Sequence, residues 1–219
     1  MIINTLLFDL DGTLVDSNEL ILESFRQTFL AFQPEKTYTR EKLLEMMGPP
    51  LFDTFSVVST NPEIIQSMID YYRKTYVRLE FEYIKIYPNT ILMLSHFKSQ
   101  GFNLAIVTTK FLESAIPSIK AYHLEDYFDV VISLDDVKNH KPHPEPVLKA
   151  LSAFDNVTGA VMIGDNFSDL LSGKNAGILT CGLEWSLKKE ILKETNPTFW
   201  IRDFKELIDI IDNYNKEAF

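Results

Sequence analysis

The sequence is poor in cysteine, in long apolar runs and in positive charge, and each shortage excludes a class of protein. Cys181 is its only cysteine, which excludes a fold built on intramolecular disulfides. Its place in the apolar stretch 178–181 predicts a small buried residue and not a nucleophile. No run of about 18 apolar residues predicts a transmembrane helix, and no basic segment precedes an apolar one at the N-terminus. We therefore expect a cytoplasmic protein.

Positive charge is in deficit, because 21 Lys and Arg residues stand against 31 Asp and Glu residues and give a net charge of −10. Such a balance argues against a nucleic-acid backbone or an anionic membrane as the principal partner. A small anionic substrate stays compatible with it, since local cations and a metal ion can create a positive pocket on an acidic surface. The sequence leaves the oligomeric state open.

Short apolar runs that are bounded by Gly, Asp, Asn or Thr recur along the chain and predict strands buried on both faces. Helix-like segments follow the later runs. This alternation predicts an α/β fold with a parallel sheet and right-handed crossovers. The predicted strands are 6–8, 104–107, 130–132, 160–163 and 178–179, and the predicted helices are 89–100, 112–121, 144–153, 167–175 and 204–214.

The first interval between strands is too long for one strand-helix-strand unit. The later strands start 26, 30 and 18 residues apart, near the ~30 residues of such a unit, whereas 98 residues separate the first strand from the second. Helix signals fill the interval: Asp16 with Glu19 resembles a capping box, and Asn61-Pro62 is a typical N-cap and N1 pair. The predicted domains are a discontinuous core, 1–16 and 84–219, and an inserted helical domain, 17–83.

Two carboxylates, Asp9 and Asp11, directly follow the first apolar run in the segment Asp9-Leu10-Asp11-Gly12-Thr13-Leu14. Ionised groups at the edge of a core are costly unless a cation or hydrogen bonds compensate them. A divalent cation is the simplest compensation. An ordinary Asp-Gly turn is the alternative, because both residues are common in turns.

Three more polar groups follow predicted strands, and the carboxyl ends of parallel strands converge at one edge of a sheet. Thr108 follows the second run, Lys141 precedes Pro142 and a predicted helix, and Asp165 and Asp169 follow the fourth run. Each group also has a purely structural alternative: Thr108 could cap the next helix, Lys141 could be a surface lysine, and the two acids could respond to the helix dipole. Together the groups place four carboxylates at two strand ends, an oxygen-rich arrangement that suits Mg²⁺.

The ordered set Asp9-x-Asp11-x-Thr13, Thr108, Lys141-Pro142 and Gly164-Asp165-x-x-x-Asp169 resembles the phosphatase branch of the haloacid dehalogenase superfamily. The resemblance implies a Rossmann-like core with an α-helical cap between 17 and 83. It also implies that Asp9 is the nucleophile, forming an aspartyl-phosphate, and that Asp11 is the general acid and base.

The same resemblance implies a Mg²⁺ site formed by Asp9, the backbone carbonyl of Asp11 and Asp165, with Asp169 ligating through water or bracing the site. Thr108 would donate its hydroxyl to phosphoryl oxygens, and Lys141 would add positive charge while restraining Asp9. Thr109, Gly48 and Pro49 are candidate substrate-binding residues, with a plain turn between cap helices as the alternative for Gly48 and Pro49.

An Asp at position 11 is typical of phosphatases and phosphomutases, while the dehalogenases and transport ATPases of the superfamily lack it. The flanking residues resemble the subgroup of PpaX-type pyrophosphatases and phosphoglycolate phosphatases, although Trp185-Ser186 stands where Trp-Gly is typical. We therefore expect a Mg²⁺-dependent phosphohydrolase acting on a small phosphorylated molecule such as pyrophosphate or phosphoglycolate. The alternatives are a β-phosphoglucomutase-like enzyme, a receiver-like signalling module and a binding protein with a decayed active site.

Overall fold

The computed structural model describes residues 1–218, with the backbone alone for residue 81, and its main element is a parallel sheet. In chain order the strands are β1 (Thr5–Phe8), β2 (Val15–Asp16), β3 (Lys85–Ile86), β4 (Asn103–Val107), β5 (Val130–Ile132), β6 (Ala160–Gly164), β7 (Leu179–Leu183) and β8 (Phe199–Ile201). Six of them form one sheet in the order β5-β4-β1-β6-β7-β8, and β2 pairs with β3. The predicted α/β fold is confirmed, and β8 is a strand that the sequence pattern did not predict.

Helices alternate with the strands of the sheet and fill the long interval between β2 and β3. They are α1 (Asn18–Phe32), α2 (Arg40–Glu45), α3 (Leu51–Ser56), α4 (Pro62–Tyr83), α5 (Thr90–Ser99), α6 (Leu112–Ala121), α7 (Glu145–Ser152), α8 (Phe167–Asn175), α9 (Lys189–Glu194) and α10 (Phe204–Glu217). Within the described residues, no helix is both long and apolar enough to cross a membrane.

Strand β1 lies in the middle of the sheet and is buried along its whole length. Leu7 packs on one face of the sheet with Val147 of α7, and Phe8 meets Phe204 of α10 edge-on. Since successive side chains of a strand point to opposite faces, helices cover the sheet on both sides. This burial explains why the strands read as continuous apolar runs.

The chain divides into two compact units, one formed by residues 1–15 with the residues from 86 onward, the other by residues 16–85. The second unit contains α1 to α4 around an aromatic core in which Phe25, Phe29 and Phe55 pack together. The chain passes between the units twice, at β2 and at β3.

Two helix starts in the second unit test the capping predictions. Asn61 caps α4 as predicted, with its side-chain oxygen accepting from the backbone N–H of Glu63 at 2.9 Å. The capping box predicted for Asp16 and Glu19 is wrong. Helix α1 begins one residue later, with Ser17 as its N-cap, and the Asp16 carboxylate accepts a hydrogen bond from the Asn18 side chain.

Candidate active site

The carboxyl ends of β1, β4 and β6 meet at one edge of the sheet and bring three predicted site residues together. Phe8, the last residue of β1, is in register with Ile106 of β4 and Ile163 of β6. Asp9 therefore follows β1 at the level where Thr108 follows β4 and Asp165 follows β6. The backbone N–H of Asp9 donates to the carbonyl of Ile163 at 2.9 Å, which fixes it at this edge.

Lys141 reaches this edge from the loop before α7 and joins two of the acids. Its Nζ lies 2.6 Å from Oδ1 of Asp9 and 2.5 Å from Oδ1 of Asp169, and it also donates to the carbonyl of Val107 at 2.8 Å. The side chain is only 2% exposed. Burial alone would lower the pKa of this ammonium, but the charges of Asp169 and Asp9 outweigh that effect and raise the pKa above its ordinary value.

Asp9, Asp165 and Asp169 form an acidic cluster, with one carboxylate oxygen of each within 4.8 Å of the others. Burial raises the pKa of Asp9 to about 7 against the lowering effect of Lys141. Burial and the charges of Asp169 and Asp9 raise the pKa of Asp165 well above its ordinary value. When all three carboxylates are ionised, they exceed the positive charge of Lys141 by two. A divalent cation matches this excess in both charge and ligand type, so the residues fit Mg²⁺.

Asp169 is held at both of its carboxylate oxygens. Oδ1 accepts from Lys141, and Oδ2 accepts from the backbone N–H of Asn166 at 2.9 Å, in a capping box at the start of α8. These bonds orient the Asp169 carboxylate from two sides. They explain why Asp169, the third residue of α8, points towards Asp9 and Asp165.

The Asp-Gly turn after β1 is packed tightly against the acidic cluster. Gly12 has a φ of 80°, and a Cβ placed there would lie 2.3 Å from Oδ2 of Asp165. Only glycine combines this backbone conformation with this close approach. Thr13 donates its hydroxyl to Oδ1 of Asp165 at 3.2 Å, and the indole N–H of Trp185 donates to the carbonyl of Gly12 at 3.0 Å.

The carboxylate of Asp11 lies outside the acidic cluster that the described residues form. It pairs instead with Lys110, whose Nζ is 2.8 Å from Oδ2 and 3.1 Å from Oδ1. The two acids of the Asp-x-Asp motif thus have different lysine partners: Asp9 pairs with Lys141, and Asp11 pairs with Lys110. Thr108 is buried beside them, and its Oγ accepts from the backbone N–H of Lys110 at 3.1 Å.

The chain matches a family model described as haloacid dehalogenase-like hydrolase over residues 6–183. It belongs to this family. It is 43% identical over 212 residues to the pyrophosphatase PpaX of Bacillus pumilus, with 95% of this chain and 96% of that protein covered. The identity to pyrophosphatase PpaX of Halalkalibacterium halodurans is 40% over 213 residues, with 96% and 98% covered. The structure of CbbY from Rhodobacter sphaeroides in complex with phosphate is similar, with a TM-score of 0.80, 25% identity, and 94% of this chain and 96% of that chain covered.

Membership of the haloacid dehalogenase-like hydrolases confirms the resemblance drawn from the motifs, and with it the Rossmann-like α/β core. It also confirms that the chain is an enzyme and not a receiver-like signalling module.

Three predicted substrate-binding residues lie in two different places. Thr109 follows Thr108 at the sheet edge and is partly exposed. Gly48 and Pro49 belong to the second unit, between α2 and α3, where Gly48 has a φ of 112°. A turn explains Gly48 on its own, so substrate binding by these residues stays a prediction.

Three side chains that sequence reasoning did not assign to the site contribute to it in this hydrolase. Lys110 pairs with Asp11, Trp185 holds the Gly12 carbonyl, and Ser186 donates its hydroxyl to the carbonyl of Asp165 at 2.6 Å. The available signals were that Lys110 follows Thr108 and Thr109 after a predicted strand and that Trp185-Ser186 departs from the Trp-Gly that is typical of the subgroup.

Proposed function

We propose that this hydrolase is a Mg²⁺-dependent phosphatase that acts through a phosphoaspartate on small phosphorylated molecules, with pyrophosphate or a phosphoglycolate-like compound as substrate. One observation carries the proposal: Lys141 joins Asp9 to a buried cluster of acids, while Asp11 pairs with a different lysine, Lys110. One acid is thereby prepared as a nucleophile and the other is left to transfer protons. The near full-length relatives named pyrophosphatase PpaX support pyrophosphate.

The residues proposed to hold Mg²⁺ are the carboxylates of Asp9 and Asp165 and the backbone carbonyl of Asp11. Asp169, whose two oxygens already accept from Lys141 and Asn166, is proposed to brace the site. Bound Mg²⁺ supplies charge neutralisation, which keeps Asp9 ionised and lets an anionic phosphoryl group approach it.

In the first half-reaction, an Asp9 oxygen attacks phosphorus and forms an acyl-phosphate bond as the bond to the leaving oxygen breaks. Lys141 holds Asp9 at 2.6 Å, so the attacking carboxylate is oriented before substrate binds. Thr108 donates its hydroxyl to a phosphoryl oxygen, and Asp11 gives a proton to the leaving oxygen.

In the second half-reaction, Asp11 takes a proton from water, whose oxygen attacks phosphorus. The acyl-phosphate bond breaks, phosphate leaves, and Asp9 and Asp11 return to their starting states. Covalent catalysis of this kind replaces one difficult displacement by two easier ones.

The acidic composition supports small phosphorylated compounds, rather than nucleic acids or membranes, as partners. The buried free thiol of Cys181 is compatible with a reducing compartment, and we propose the cytoplasm as the site of action.

The test is phosphate release, with and without Mg²⁺, from pyrophosphate, phosphoglycolate, hexose phosphates and nucleoside monophosphates. We expect Mg²⁺-dependent release and a preference of at least about tenfold for one of the first two compounds. Asp9→Asn and Asp11→Asn should each lower kcat by about a thousandfold or more, whereas Asp209→Asn, an exposed control on α10, should not.

Retained turnover in Asp9→Asn would refute the phosphoaspartate. Interconversion of hexose phosphates without phosphate release would identify a phosphomutase instead.

A further inference from the structure

We propose that Lys110 determines specificity by binding negative charge on the leaving group, so that this hydrolase prefers phosphoanhydrides and phosphate esters whose leaving group is itself an anion. This inference rests on the proposed function, because it uses Asp11 as the proton donor to the leaving oxygen.

The position of Lys110 places a positive charge beside the proton donor. Its Nζ lies 2.8 Å from Oδ2 and 3.1 Å from Oδ1 of Asp11. A leaving oxygen that takes a proton from Asp11 must come within hydrogen-bond distance of that carboxyl group. The leaving group therefore arrives next to the Lys110 ammonium, which carries three N–H donors.

The backbone of Lys110 is fixed before any substrate arrives. Its N–H donates to Oγ of Thr108 at 3.1 Å, and its carbonyl accepts from the backbone N–H of Leu134 at 2.8 Å. The pairing with Asp11 restrains the ammonium as well, so Lys110 loses less conformational freedom when it binds an anion than a mobile lysine would.

The two lysines of the site differ in a way that indicates different functions. Lys141 is 2% exposed and is enclosed by Asp9 and Asp169, whereas the side chain of Lys110 keeps 18% of its surface accessible. Lys141 thus compensates buried acids, whereas Lys110 keeps part of its side chain accessible beside Asp11.

The chemistry of the leaving group explains why such a lysine is needed. When pyrophosphate is cleaved the leaving group is phosphate, and when phosphoglycolate is cleaved it carries a carboxylate. Either one brings negative charge next to the Asp11 carboxyl group, where the neighbouring Lys110 ammonium attracts it. An uncharged alcohol leaving group needs no such cation.

The experiment compares 2-phosphoglycolate, whose leaving group carries a carboxylate, with 2-hydroxyethyl phosphate, whose leaving group is neutral. Pyrophosphate is tested as a third substrate. The enzymes are the wild type, Lys110→Met, Lys110→Arg and the exposed control Lys120→Met, each first checked for a native melting curve. In Lys110→Met, the ratio of kcat/KM for the charged substrate to that for the uncharged one should fall by at least about tenfold. Lys110→Arg and Lys120→Met should keep it within about threefold of the wild type.

An equal loss of kcat/KM for substrates with charged and with neutral leaving groups in Lys110→Met would overturn the proposal, since it would show that Lys110 only orients Asp11.

A binding measurement separates this outcome from failure of the proposed function. If the wild type hydrolyses none of the compounds, the phosphatase assignment fails, and calorimetry with methylenediphosphonate and with inorganic phosphate then tests Lys110 alone. Lys110→Met should lose affinity selectively for the diphosphonate, and an equal loss for both anions would refute the role.

Discussion

Replacing Lys141 by methionine should destabilise the protein strongly, and in a way that depends on pH. Methionine retains most of the apolar stem but removes the ammonium that contacts Asp9, Asp169 and the Val107 carbonyl at 2.5–2.8 Å. Removing one partner of a buried ion pair leaves the other charge uncompensated and costs about 3–5 kcal/mol. We expect the free energy of unfolding of the metal-free protein to fall by about this amount at alkaline pH.

The sign of the pH dependence follows from Asp9. Its pKa is raised from 3.8 to about 7 in the folded protein even though Lys141 lowers it. A raised carboxyl pKa contributes stability at low pH that is lost as the pH rises through the folded value. Without Lys141 the folded pKa rises further. The stability difference between the wild type and Lys141→Met should therefore be larger at about pH 8.5 than at about pH 5.5, where the acids of the variant take up protons.

The assay is urea denaturation followed by circular dichroism in EDTA at both pH values. Lys138→Met, an exposed lysine three residues earlier in the same loop, is the matched control and should change stability by less than about 0.5 kcal/mol. A loss below about 1 kcal/mol in Lys141→Met at alkaline pH, or the same loss at both pH values, would refute the reasoning.

Three further predictions concern the metal, Ser186 and Cys181. The rise in the Asp9 pKa from 3.8 to about 7 corresponds to about 4 kcal/mol at most. Because Asp9 is ionised and able to bind Mg²⁺ above this pKa, Mg²⁺ should raise the melting temperature more at about pH 8 than at about pH 5. Calorimetry with Mg²⁺ and with EDTA measures this difference. Ser186→Ala removes the hydroxyl that donates to the Asp165 carbonyl and accepts from the Lys188 N–H, so it should cost roughly 1–2 kcal/mol and weaken Mg²⁺ binding in a titration. Burial raises the pKa of the Cys181 thiol, so the native protein should resist thiol reagents that label it quickly in urea.

Sequence reasoning predicted the sheet well because its strands are buried on both faces. Every residue of β1 is buried, so the strand reads as an unbroken apolar run. Strand β8 is a three-residue edge strand with two partly buried residues, as β5 is, but only the Val-Val-Ile run of β5 was predicted as a strand and the Phe-Trp-Ile run of β8 was not.

The start of α5 shows a local departure that only the structure explains. Asn89, the residue before α5, has a φ of 62°, the left-handed conformation that glycine favours. Asparagine tolerates this conformation better than most residues. Its side-chain amide also donates to both carboxylate oxygens of Asp203, at 3.0 and 2.8 Å, which offsets part of the backbone cost.

The sequence predicted which polar groups meet at the carboxyl ends of the strands, but it did not predict all of the contacts between their side chains. The polar groups after β1, β4 and β6 meet because parallel strands end at a common edge. The family resemblance implied the contact of Lys141 with Asp9, 132 residues away, but the pairing of Lys110 with Asp11, 99 residues away, was not predicted because it depends on side-chain packing between distant segments. A basic residue near a strand end does not reveal which acid it faces.

The distribution of charge also sets an order of events for the proposed reaction. With Asp9, Asp165 and Asp169 all ionised, the cluster carries two more negative charges than Lys141 balances, whereas Asp11 faces Lys110. An anionic substrate can approach ionised Asp9 only when that excess is offset, because like charges in a buried pocket repel strongly. Cation binding should therefore precede phosphoryl binding, while discrimination among leaving groups depends on Lys110.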